Sequence, residues 1–393
     1  MGCAGVRIIR DNACIHSLHL ATTEPGMIFT QDRKKMTGHR KKRVVMIGCG
    51  MVSSAYMDAF IRLSERLELV AILSRHKHSA ENCLRRYQHS CFEDSCHISD
   101  ISQLLALEDI DFVIITTPPN ARYDYASALA KASVPVLMEK PVERSGRAAR
   151  QIVDMFSTAS VPLGIMLQHR ARPSAAELKS KLAQGGFGAL KAVEITVPWW
   201  RDQSYYDVPG RGSYDRDGGG VMISQAIHTI DLALQFTGPA QAVTAMASTT
   251  SFHQMEAEDF VSAGLEFEQG CLGHLFASTA SFPGRTEDIW LHYQNVSAHL
   301  LSAKIELFWQ DGRQEQIGSE TATGAGADPM AFSSDGHMAM IEDFMNATET
   351  GTQPLASGRS ALDVHQMIDA IEMSAQHGHR LMLSELADSR KAH

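Results

Sequence analysis

Short apolar runs alternate with segments of helical spacing along the first half of the chain. The runs are rich in β-branched residues and predict buried strands at 43–47, 67–73, 112–116, 134–138 and 163–167. Between them, apolar residues recur every three or four positions and predict helices at 53–63, 80–88, 101–107, 123–132 and 146–157. Strands that alternate with helices form right-handed βαβ units, so this half predicts a parallel sheet.

After about residue 170 the pattern changes to longer segments in which polar and apolar positions alternate. A helix is predicted at 175–183, strands at 191–198, 242–249, 259–267, 271–279 and 302–308, a loop at 324–335, and helices at 338–348 and 360–377. Such alternation is typical of antiparallel strands with one buried face. We therefore predict an α/β chain, with a parallel-sheet domain followed by an α+β domain whose large open sheet is mostly antiparallel.

Length and composition limit the classes of function. A chain of 393 residues is long for one core, and we predict domains at 42–168 and 169–393, with 1–41 a disordered or non-native extension. The formal charge of −9 argues against nucleic acid as a partner, and no apolar run is long enough to span a membrane. The seven cysteines are an odd number without a CxxC pair, which argues against a disulfide framework or a metal site and favours the cytoplasm.

A glycine turn follows the first predicted strand. Residues 48–53 read GCGMVS, and a predicted helix begins directly after them. Gly48 would make the tight turn, and Gly50 would let the backbone approach a pyrophosphate at the helix N-terminus, next to Met51 and Val52. A strand, this turn and a helix in that order predict a dinucleotide site.

Two other strand ends contribute candidates for the same cofactor. The second strand ends in Ser74 and Arg75, where a carboxylate would be expected for NAD(H). A hydroxyl and a guanidinium suit a 2′-phosphate, so NADP(H) is favoured and NAD(H) stays possible. The loop after the 112–116 strand would lie at the same edge of the sheet, and its candidates are Thr117, Pro118, Pro119 and Asn120.

A polar series lies in an otherwise apolar helical segment at 218–231, which reads GGGVMISQAIHTID. Ser224 and His228 are four residues apart and would share one face, with Asp231 close to His228. That face would point into a cleft, where His228 could orient a reacting hydroxyl or relay its proton. Asp231 is expected to fix the helix or the imidazole.

The fourth strand of the first half ends in Glu139-Lys140-Pro141. With the glycine turn and the DGGG…HxxD series, this tripeptide makes residues 42–385 resemble the Gfo/Idh/MocA oxidoreductases. The resemblance implies an N-terminal Rossmann domain and a C-terminal sheet domain that covers the nicotinamide and often mediates dimer or tetramer assembly. It also implies that Glu139 and Lys140 lie at the cofactor, that Lys140 lies between cofactor and substrate, and that the Lys140–Pro141 bond is cis.

The same comparison reveals a departure. Many members of that family have an aspartate four residues before the histidine and a glycine two before it, whereas this chain has Ser224 and Ala226. The proton-handling residues are then Lys140 and His228, with Ser224 and Gln225 as possible hydrogen-bonding groups for the substrate. A lysine near a cationic nicotinamide and partly desolvated has its pKa lowered, which suits proton transfer near neutral pH.

Further substrate candidates come from a segment rich in aromatic residues and from the junction of the two halves. Trp200, Tyr206 and Arg211 lie in a turn-rich stretch, where an aromatic face could stack on a ring and arginine could hold a carboxylate. Packing under a long loop is an equally good interpretation. Arg170 follows the last strand of the first half and either faces the cleft or bridges the domains.

The sequence thus predicts an NADP(H)-dependent oxidoreductase. It would move a hydride between nicotinamide and a CH–OH or C=O group of a sugar, cyclitol or related cyclic substrate, as a homodimer or homotetramer. A dihydrodiol dehydrogenase of aromatic catabolism is an alternative substrate class. A non-catalytic nucleotide sensor on the same fold is an alternative function, suggested by the missing aspartate and opposed by the presence of both Lys140 and His228.

Overall fold

A computed structural model describes residues 40–319 and 333–388, apart from the side chains of Gln269, Ala387 and Asp388. Residues 1–39 of the predicted extension at 1–41 and most of the predicted loop at 324–335 lie outside the described residues. No helix within the described residues is long and apolar enough to cross a membrane.

The first half contains the predicted alternation. Its elements are β1 (Lys42–Ile47), α1 (Ser53–Arg62), β2 (Leu67–Leu73), α2 (Lys77–Arg86), β3 (Cys96–Ile98), α3 (Ile101–Leu105), β4 (Phe112–Ile115), α4 (Tyr123–Lys131), β5 (Val136–Met138), α5 (Gly146–Ala159) and β6 (Leu163–Ile165). Nine of the ten predicted elements agree with these bounds to within about two residues at each end; the exception is α2, which begins earlier than predicted. β3 was not predicted, because its three residues contain a single buried apolar side chain, Ile98.

These strands form one parallel sheet in the order β3-β2-β1-β4-β5-β6. The last four residues of β1 and all of β4 are fully buried, as strands covered on both faces require. The chain runs from β1 to β2 on one side and from β3 to β4 on the other, so the sheet changes direction between β1 and β4. In sheets of this kind, ligands bind beyond the carboxyl ends of the strands at that point.

The second half begins with α6 and ends with α11. Its elements are α6 (Pro173–Gln184), β7 (Leu190–Pro198), α7 (Gln203–Tyr206), α8 (Ile227–Thr237), β8 (Ala240–Ser248), β9 (Phe260–Phe267), β10 (Leu272–Ser278), β11 (Asp288–Tyr293), β12 (Val296–Leu301), β13 (Lys304–Trp309), β14 (Gln314–Ile317), α9 (Asp335–Thr350), α10 (Leu362–His377), β15 (Leu381–Met382) and α11 (Leu383–Asp388). The predicted loop therefore ends where α9 begins.

The strands of the second half form a nine-stranded sheet in the order β14-β13-β12-β11-β7-β10-β9-β8-β15. All neighbours are antiparallel except β7 and β10, which are parallel, so the prediction of a mostly antiparallel sheet is confirmed. β11, β12, β14 and the two-residue β15 were missed. β11 and β12 do alternate buried and partly exposed positions, whereas β14 contributes one buried residue, Ile317.

One face of this sheet is buried and the other is exposed. Val193, Ile195 and Leu275 belong to the buried face, against which α8 and α10 pack. On the opposite face, the side chains of Met246 and Leu272 are 58% and 60% exposed. The alternation of the strands therefore places apolar side chains on both faces of this sheet.

The helical segment at 222–237 is not a regular α-helix throughout. Met222–Ala226 form a π-helical turn, and α8 follows it directly. Two of the three glycines before it, Gly218 and Gly220, allow close approach to protein backbone rather than to a ligand. A Cβ on Gly218 would lie 2.4 Å from the Cα of Arg144, and one on Gly220 would lie 1.7 Å from the carbonyl oxygen of Glu258.

Candidate active site

A cavity of about 680 Å³ lies at the carboxyl edge of the parallel sheet and is lined by both halves of the chain. The first half contributes Gly50, Thr117 and Lys140, and the second half contributes Tyr205 and His228. This is the position that the change of direction between β1 and β4 predicts for a ligand. The volume is within the range of small-molecule and cofactor sites.

The glycine turn fits a dinucleotide. Gly48 has a φ of +100°, and a Cβ there would lie 2.8 Å from Thr116 Oγ1, so the turn requires glycine. A Cβ on Gly50 would meet nothing within 4 Å, which leaves open space over the backbone on the cavity side. The hydroxyl of Thr117 is buried in the same wall without a hydrogen-bond partner. A pyrophosphate and its ribose would occupy such a space and bond such a donor.

The predicted cofactor residues divide into two groups. Met51, Val52, Pro118 and Glu139 line the cavity with Gly50, Thr117 and Lys140. Gly48, Pro119 and Asn120 do not. Pro119 is buried and begins a short 3-10 turn, and Asn120 is exposed beside it. For Pro119 and Asn120 the prediction is corrected, because this turn directs them away from the cavity.

Ser74 and Arg75 lie outside the cavity wall at the end of β2. The Ser74 hydroxyl already donates a hydrogen bond to the backbone carbonyl of His76, 2.9 Å away. Arg75 is exposed, as are His76, Lys77 and His78 after it. The positive charge predicted at this strand end is therefore present and accessible, whereas the Ser74 hydroxyl is engaged within its own loop.

Lys140 links the two halves of the site. Its ammonium donates a 2.7 Å hydrogen bond to the carbonyl oxygen of Ser224, in the π-helical turn. The bond between Lys140 and Pro141 is cis, as the resemblance implied. Burial lowers the pKa of Lys140; the carboxylates of Glu139 and Asp217 oppose that shift, and the guanidinium of Arg211 adds to it.

Glu139 holds the backbone from which Lys140 extends. It accepts a 2.9 Å hydrogen bond from Tyr56 and a 3.0 Å bond from the backbone N–H of Lys140, and it lies 3.6 Å from the imidazole of His337. Burial raises the pKa of Glu139, but the bond to His337 and the charges of His337, Lys140 and Arg122 together hold it below its ordinary value. This carboxylate therefore stays ionised and acts on Lys140 at close range.

His228 lies on the same cavity and is buried. Burial lowers its pKa well below the ordinary value, and the charge of Lys140 lowers it further, so the imidazole is neutral. The ring of His169 lies 5.1 Å from it, and Arg172 donates a 2.7 Å bond to His169 Nε2. Since a guanidinium can only donate, the His169 proton is on Nδ1.

Asp231 does not contact the imidazole of His228. Both of its carboxylate oxygens bind Arg170, at 2.6 and 2.8 Å, and both side chains are 1% exposed. Arg170 also donates to Ser360 and to the carbonyl of Leu355. Of the two roles left open for Arg170, these contacts favour the bridging one, since its guanidinium joins three segments of the protein core, and Asp231 fixes α8 rather than the imidazole.

In the aromatic segment, the residues that line the cavity are the sequence neighbours of the predicted Trp200 and Tyr206. Trp200 packs against Phe252 and Phe282, and the hydroxyl of Tyr206 is bonded to Thr279 at 2.6 Å. Neither lines the cavity, so these two substrate predictions are corrected. Trp199 and Tyr205 line it instead, because adjacent side chains point in different directions both in the extended backbone at Trp199 and in helix α7, which contains Tyr205.

Three predicted substrate residues do lie in the wall: Arg211, Ser224 and Gln225. Gln225 donates a 3.1 Å bond to the hydroxyl of Tyr205, and the guanidinium of Arg211 lies 4.3 Å from the centre of the Tyr205 ring. Ser224 contributes its carbonyl to Lys140.

Buried polar atoms without a partner are concentrated around this cavity. The wall contains six such atoms: Thr117 Oγ1, Gln168 Oε1, His169 Nδ1, Arg211 Nε, Gln225 Oε1 and His228 Nδ1. A buried polar group without a hydrogen bond costs about 1–3 kcal/mol. A concentration of such groups in one wall indicates a polar ligand that satisfies them.

Comparison with known proteins agrees with this geometry. Residues 42–166 match the GFO_IDH_MocA group, described as an oxidoreductase family with an NAD-binding Rossmann fold. Residues 175–299 match the GFO/IDH/MocA C-terminal domain. The chain belongs to the GFO/IDH/MocA oxidoreductase family. As a member, it is an NAD(P)-dependent dehydrogenase or reductase.

Individual relatives of this GFO/IDH/MocA chain are distant. It is 24% identical to inositol 2-dehydrogenase of Rhizobium meliloti over 339 residues, which cover 84% of this chain and 95% of that protein. It is 27% identical to D-xylose 1-dehydrogenase (NADP(+)) 2 of Haloferax volcanii over 281 residues, 70% of this chain and 81% of that one. The WlbA dehydrogenase of Bordetella pertussis, solved with NADH and UDP-GlcNAcA, has a TM-score of 0.73 at 25% identity and covers 87% of this chain and 99% of its own.

Sequence reasoning missed several residues of this GFO/IDH/MocA site. His169, Arg172 and Asp217 line the cavity, as do Tyr205 and His337. His169 is next to Arg170 and Asp217 precedes the three glycines, so both stood within segments already singled out. His337 had no local signal, because it reaches the cavity from the first turn of α9.

Proposed function

We propose that this chain is an NADP(H)-dependent oxidoreductase of a sugar, cyclitol or related cyclic alcohol, in which Lys140 and His228 handle the proton. One observation carries the proposal. The Lys140 ammonium and the neutral, buried His228 imidazole lie in the wall of one cavity, and that cavity extends to the glycine turn. A bound nicotinamide would supply or accept the hydride.

The two side chains have different tasks in this proposal. Lys140 holds the proton of the reacting oxygen at Nζ, and its lowered pKa makes that transfer easier than for an ordinary lysine. His228 stays neutral and has an unpartnered Nδ1, so it can bond the substrate without adding charge. This chain has Ser224 where many members of the family have an aspartate, so one carboxylate is absent. The carboxylates of Glu139 and Asp217 still raise the pKa of Lys140.

The kinetic test uses Lys140→Ala with Lys179→Ala as the matched control. Lys179 is also half-buried with a lowered pKa, but it packs near Phe236 outside the cavity wall. We expect Lys140→Ala to lower kcat by about 100-fold or more while NADPH binding stays nearly unchanged. Equal turnover in the two variants would contradict the role of Lys140. A wild-type protein that binds NADPH and a partner protein but turns over no alcohol or carbonyl would favour the sensor function.

The preference for NADP(H) rests on the end of β2. Arg75 and its neighbours His76, Lys77 and His78 are exposed there, and no carboxylate follows the strand where a ribose 2′-hydroxyl would need one. Relatives include a protein named for NADP(+) and one solved with NADH, so the choice has to be made by residues of this chain.

The cofactor test compares Arg75→Ala with Arg85→Ala. Arg85 is an exposed arginine of α2 that bonds Asn82 and lies away from the strand end. Loss of one charge-assisted contact predicts about 10-fold weaker NADPH binding for Arg75→Ala with NADH binding unchanged. Tighter binding of NADH than of NADPH by the wild type would overturn the preference.

Assembly into a homodimer or homotetramer is part of the same proposal. The exposed face of the nine-stranded sheet carries Met246, Leu272 and Trp290, and register places these three side chains on one face. An apolar sheet face of this kind is typical of contacts between copies. Light scattering should give a mass of two or four chains, and Leu272→Lys should reduce it.

A further inference from the structure

We infer that the substrate carries a carboxylate, and that Arg211 on the ring of Tyr205 holds it. The inference rests on the proposed function, since it concerns the substrate of the same cavity. The class is a sugar acid or a carboxylated cyclic polyol, with the reacting hydroxyl toward Lys140 and the carboxylate toward Arg211.

The first argument is the state of the cavity arginines. Arg172 pairs with Glu287 at 3.2 Å, and Arg216 pairs with Asp217 at 3.7 Å. Arg122 donates to the backbone carbonyls of Thr117, Glu139 and Pro141. Arg201 donates to the backbone carbonyl of Trp200 at 2.6 Å. Arg211 differs from these four, because no ion pair with a described carboxylate holds it and its buried Nε has no partner.

The second argument is that Arg211 is held in place without its hydrogen-bonding capacity being used. Its guanidinium stacks on the ring of Tyr205 at 4.3 Å, and Tyr205 is fixed in turn by Gln225. Stacking fixes the plane of a guanidinium but leaves its N–H groups available at the edge. A planar donor set that is fixed in advance suits a planar, bidentate carboxylate.

The third argument is the local balance of charge. Arg201 lies near the same ring, 5.5 Å from its centre, and the charge of Arg211 acts to lower the pKa of Arg201. Two guanidiniums on one aromatic ring repel each other electrostatically. An anion between or beside them would offset this repulsion. A neutral sugar would leave this repulsion in place.

The fourth argument is the adjacent acceptor. Gln225 Oε1 is buried in the same wall without a partner, next to the Tyr205 hydroxyl to which Gln225 Nε2 donates. A carboxylate cannot satisfy an acceptor, whereas a hydroxyl can. An unpartnered donor on Arg211 and an unpartnered acceptor on Gln225 therefore match a molecule that has both a carboxylate and hydroxyl groups.

The test measures NADP(H)-dependent turnover and binding of acids against neutral sugars of the same stereochemistry. The pairs are D-glucuronate with D-glucose and D-galacturonate with D-galactose, and D-glucose 6-phosphate tests whether a phosphate serves instead. Wild type is compared with Arg211→Gln and with Arg313→Gln. Arg313 also stacks on an aromatic ring, 4.6 Å from the centre of Trp309, but lies in the β13–β14 turn outside the cavity wall.

We expect the wild type to prefer at least one acid over its neutral partner, and Arg211→Gln to lower kcat/KM for that acid about 10- to 150-fold, mainly through KM. Its kcat/KM for the neutral sugar should fall much less than that for the acid, its affinity for NADPH should change by less than about 3-fold, and Arg313→Gln should behave as wild type. Calorimetry of the NADPH complex with the acid gives the same comparison without turnover.

Several results would overturn the inference. Equal use of acid and neutral sugar by the wild type would do so, as would an equal loss for both in Arg211→Gln. If D-glucose 6-phosphate bound and neither acid did, the group held by Arg211 would be a phosphate and not a carboxylate. These outcomes leave the proposed function intact, since neutral sugars would still be turned over. An NADPH complex that binds acids through Arg211 without any turnover would instead refute the proposed function, and the acid would then be a ligand of Arg211 rather than a substrate.

Discussion

The contact between Gly220 and Glu258 gives a sharp prediction for stability and activity. In Gly220→Ala, the new Cβ would lie 1.7 Å from the Glu258 carbonyl oxygen, and 2.7 and 2.8 Å from its carbonyl carbon and nitrogen. Protein Cβ atoms do not approach other heavy atoms within 3.0 Å, so the two backbones must separate by roughly 1.3 Å. Both sides of this contact are main chain, which a change of rotamer cannot relieve.

The hydrogen bonds across this contact set the magnitude. Glu258 accepts from the backbone N–H of Gly220 at 3.0 Å and of Met222 at 3.1 Å, and its carbonyl accepts from Val221 at 2.8 Å. Overpacking costs about 1–3 kcal/mol, and a lost bond to a charged group about 1.5–3 kcal/mol. Weakening of these bonds together with the overlap gives an expected loss of about 4 kcal/mol in the free energy of unfolding.

Activity should fall as well, because the π-helical turn that follows Gly220 presents the Ser224 carbonyl to Lys140. A displacement of about 1 Å at a catalytic group can cost about 100-fold in rate. We therefore expect kcat to fall by about 100-fold. The affinity for NADPH should stay close to that of the wild type, since Gly48 and Gly50 belong to the other half of the chain.

The assay is urea unfolding with steady-state kinetics, and Gly264→Ala is the control. Gly264 lies in β9, where a Cβ would be 3.9 Å from the nearest atom, the Thr244 carbonyl oxygen. We expect Gly264→Ala to keep the wild-type stability and rate. If Gly220→Ala lost less than about 0.5 kcal/mol relative to that control and kept its kcat, the packing argument would be refuted.

Three further predictions concern groups around the cavity. Asp231→Ala should lower the free energy of unfolding in urea by about 3–5 kcal/mol, because it leaves the Arg170 charge buried and unpaired. Replacing both residues by leucine should recover most of that loss. Wild-type stability of Asp231→Ala would contradict the prediction. Oxidation of the alcohol requires the neutral amine of Lys140, so the rate of oxidation should rise with pH through an apparent pKa below 10.5. An unchanged pH–rate profile in Lys140→Arg would contradict the assignment of this pKa to Lys140. Tyr56→Phe removes the hydroxyl that donates to Glu139 and should lower stability by about 1–3 kcal/mol in thermal or urea unfolding; no loss would show that Glu139 is satisfied without it.

Local sequence patterns predicted where the strands end, and several of the residues that line the cavity lie at those ends. The GCGMVS turn, Lys140 after β5 and His228 in the 218–231 segment all line or border one cavity. Each signal depends on the backbone within a few residues, such as the positive φ of Gly48 or the apolar run before Lys140. Parallel strands bring their carboxyl ends to one edge, so the glycine turn and Lys140 converge without further information. His228 lies in α8 of the second half, and only the tertiary structure brings it to that edge.

The direction of individual side chains was not predictable in the same way. Trp199 and Tyr205 face the cavity whereas Trp200 and Tyr206 do not, and each pair is adjacent in sequence and similar in chemistry. Which member faces inward depends on partners far along the chain, such as Thr279, to which the hydroxyl of Tyr206 is bonded.

The sequence by itself therefore determined the alternation of strands and helices and the glycine turn, because these depend on local backbone sterics and periodicity, and its resemblance to the Gfo/Idh/MocA oxidoreductases pointed to Lys140 and His228 as candidates. Only the tertiary structure decided the π-helical turn, the pairing of Arg170 with Asp231 and the isolation of Arg211 from carboxylates. Those features depend on contacts between residues that are distant in sequence, such as Gly220 and Glu258, 38 positions apart. No periodic pattern records such contacts, since they arise only when segments that are distant in sequence are packed together.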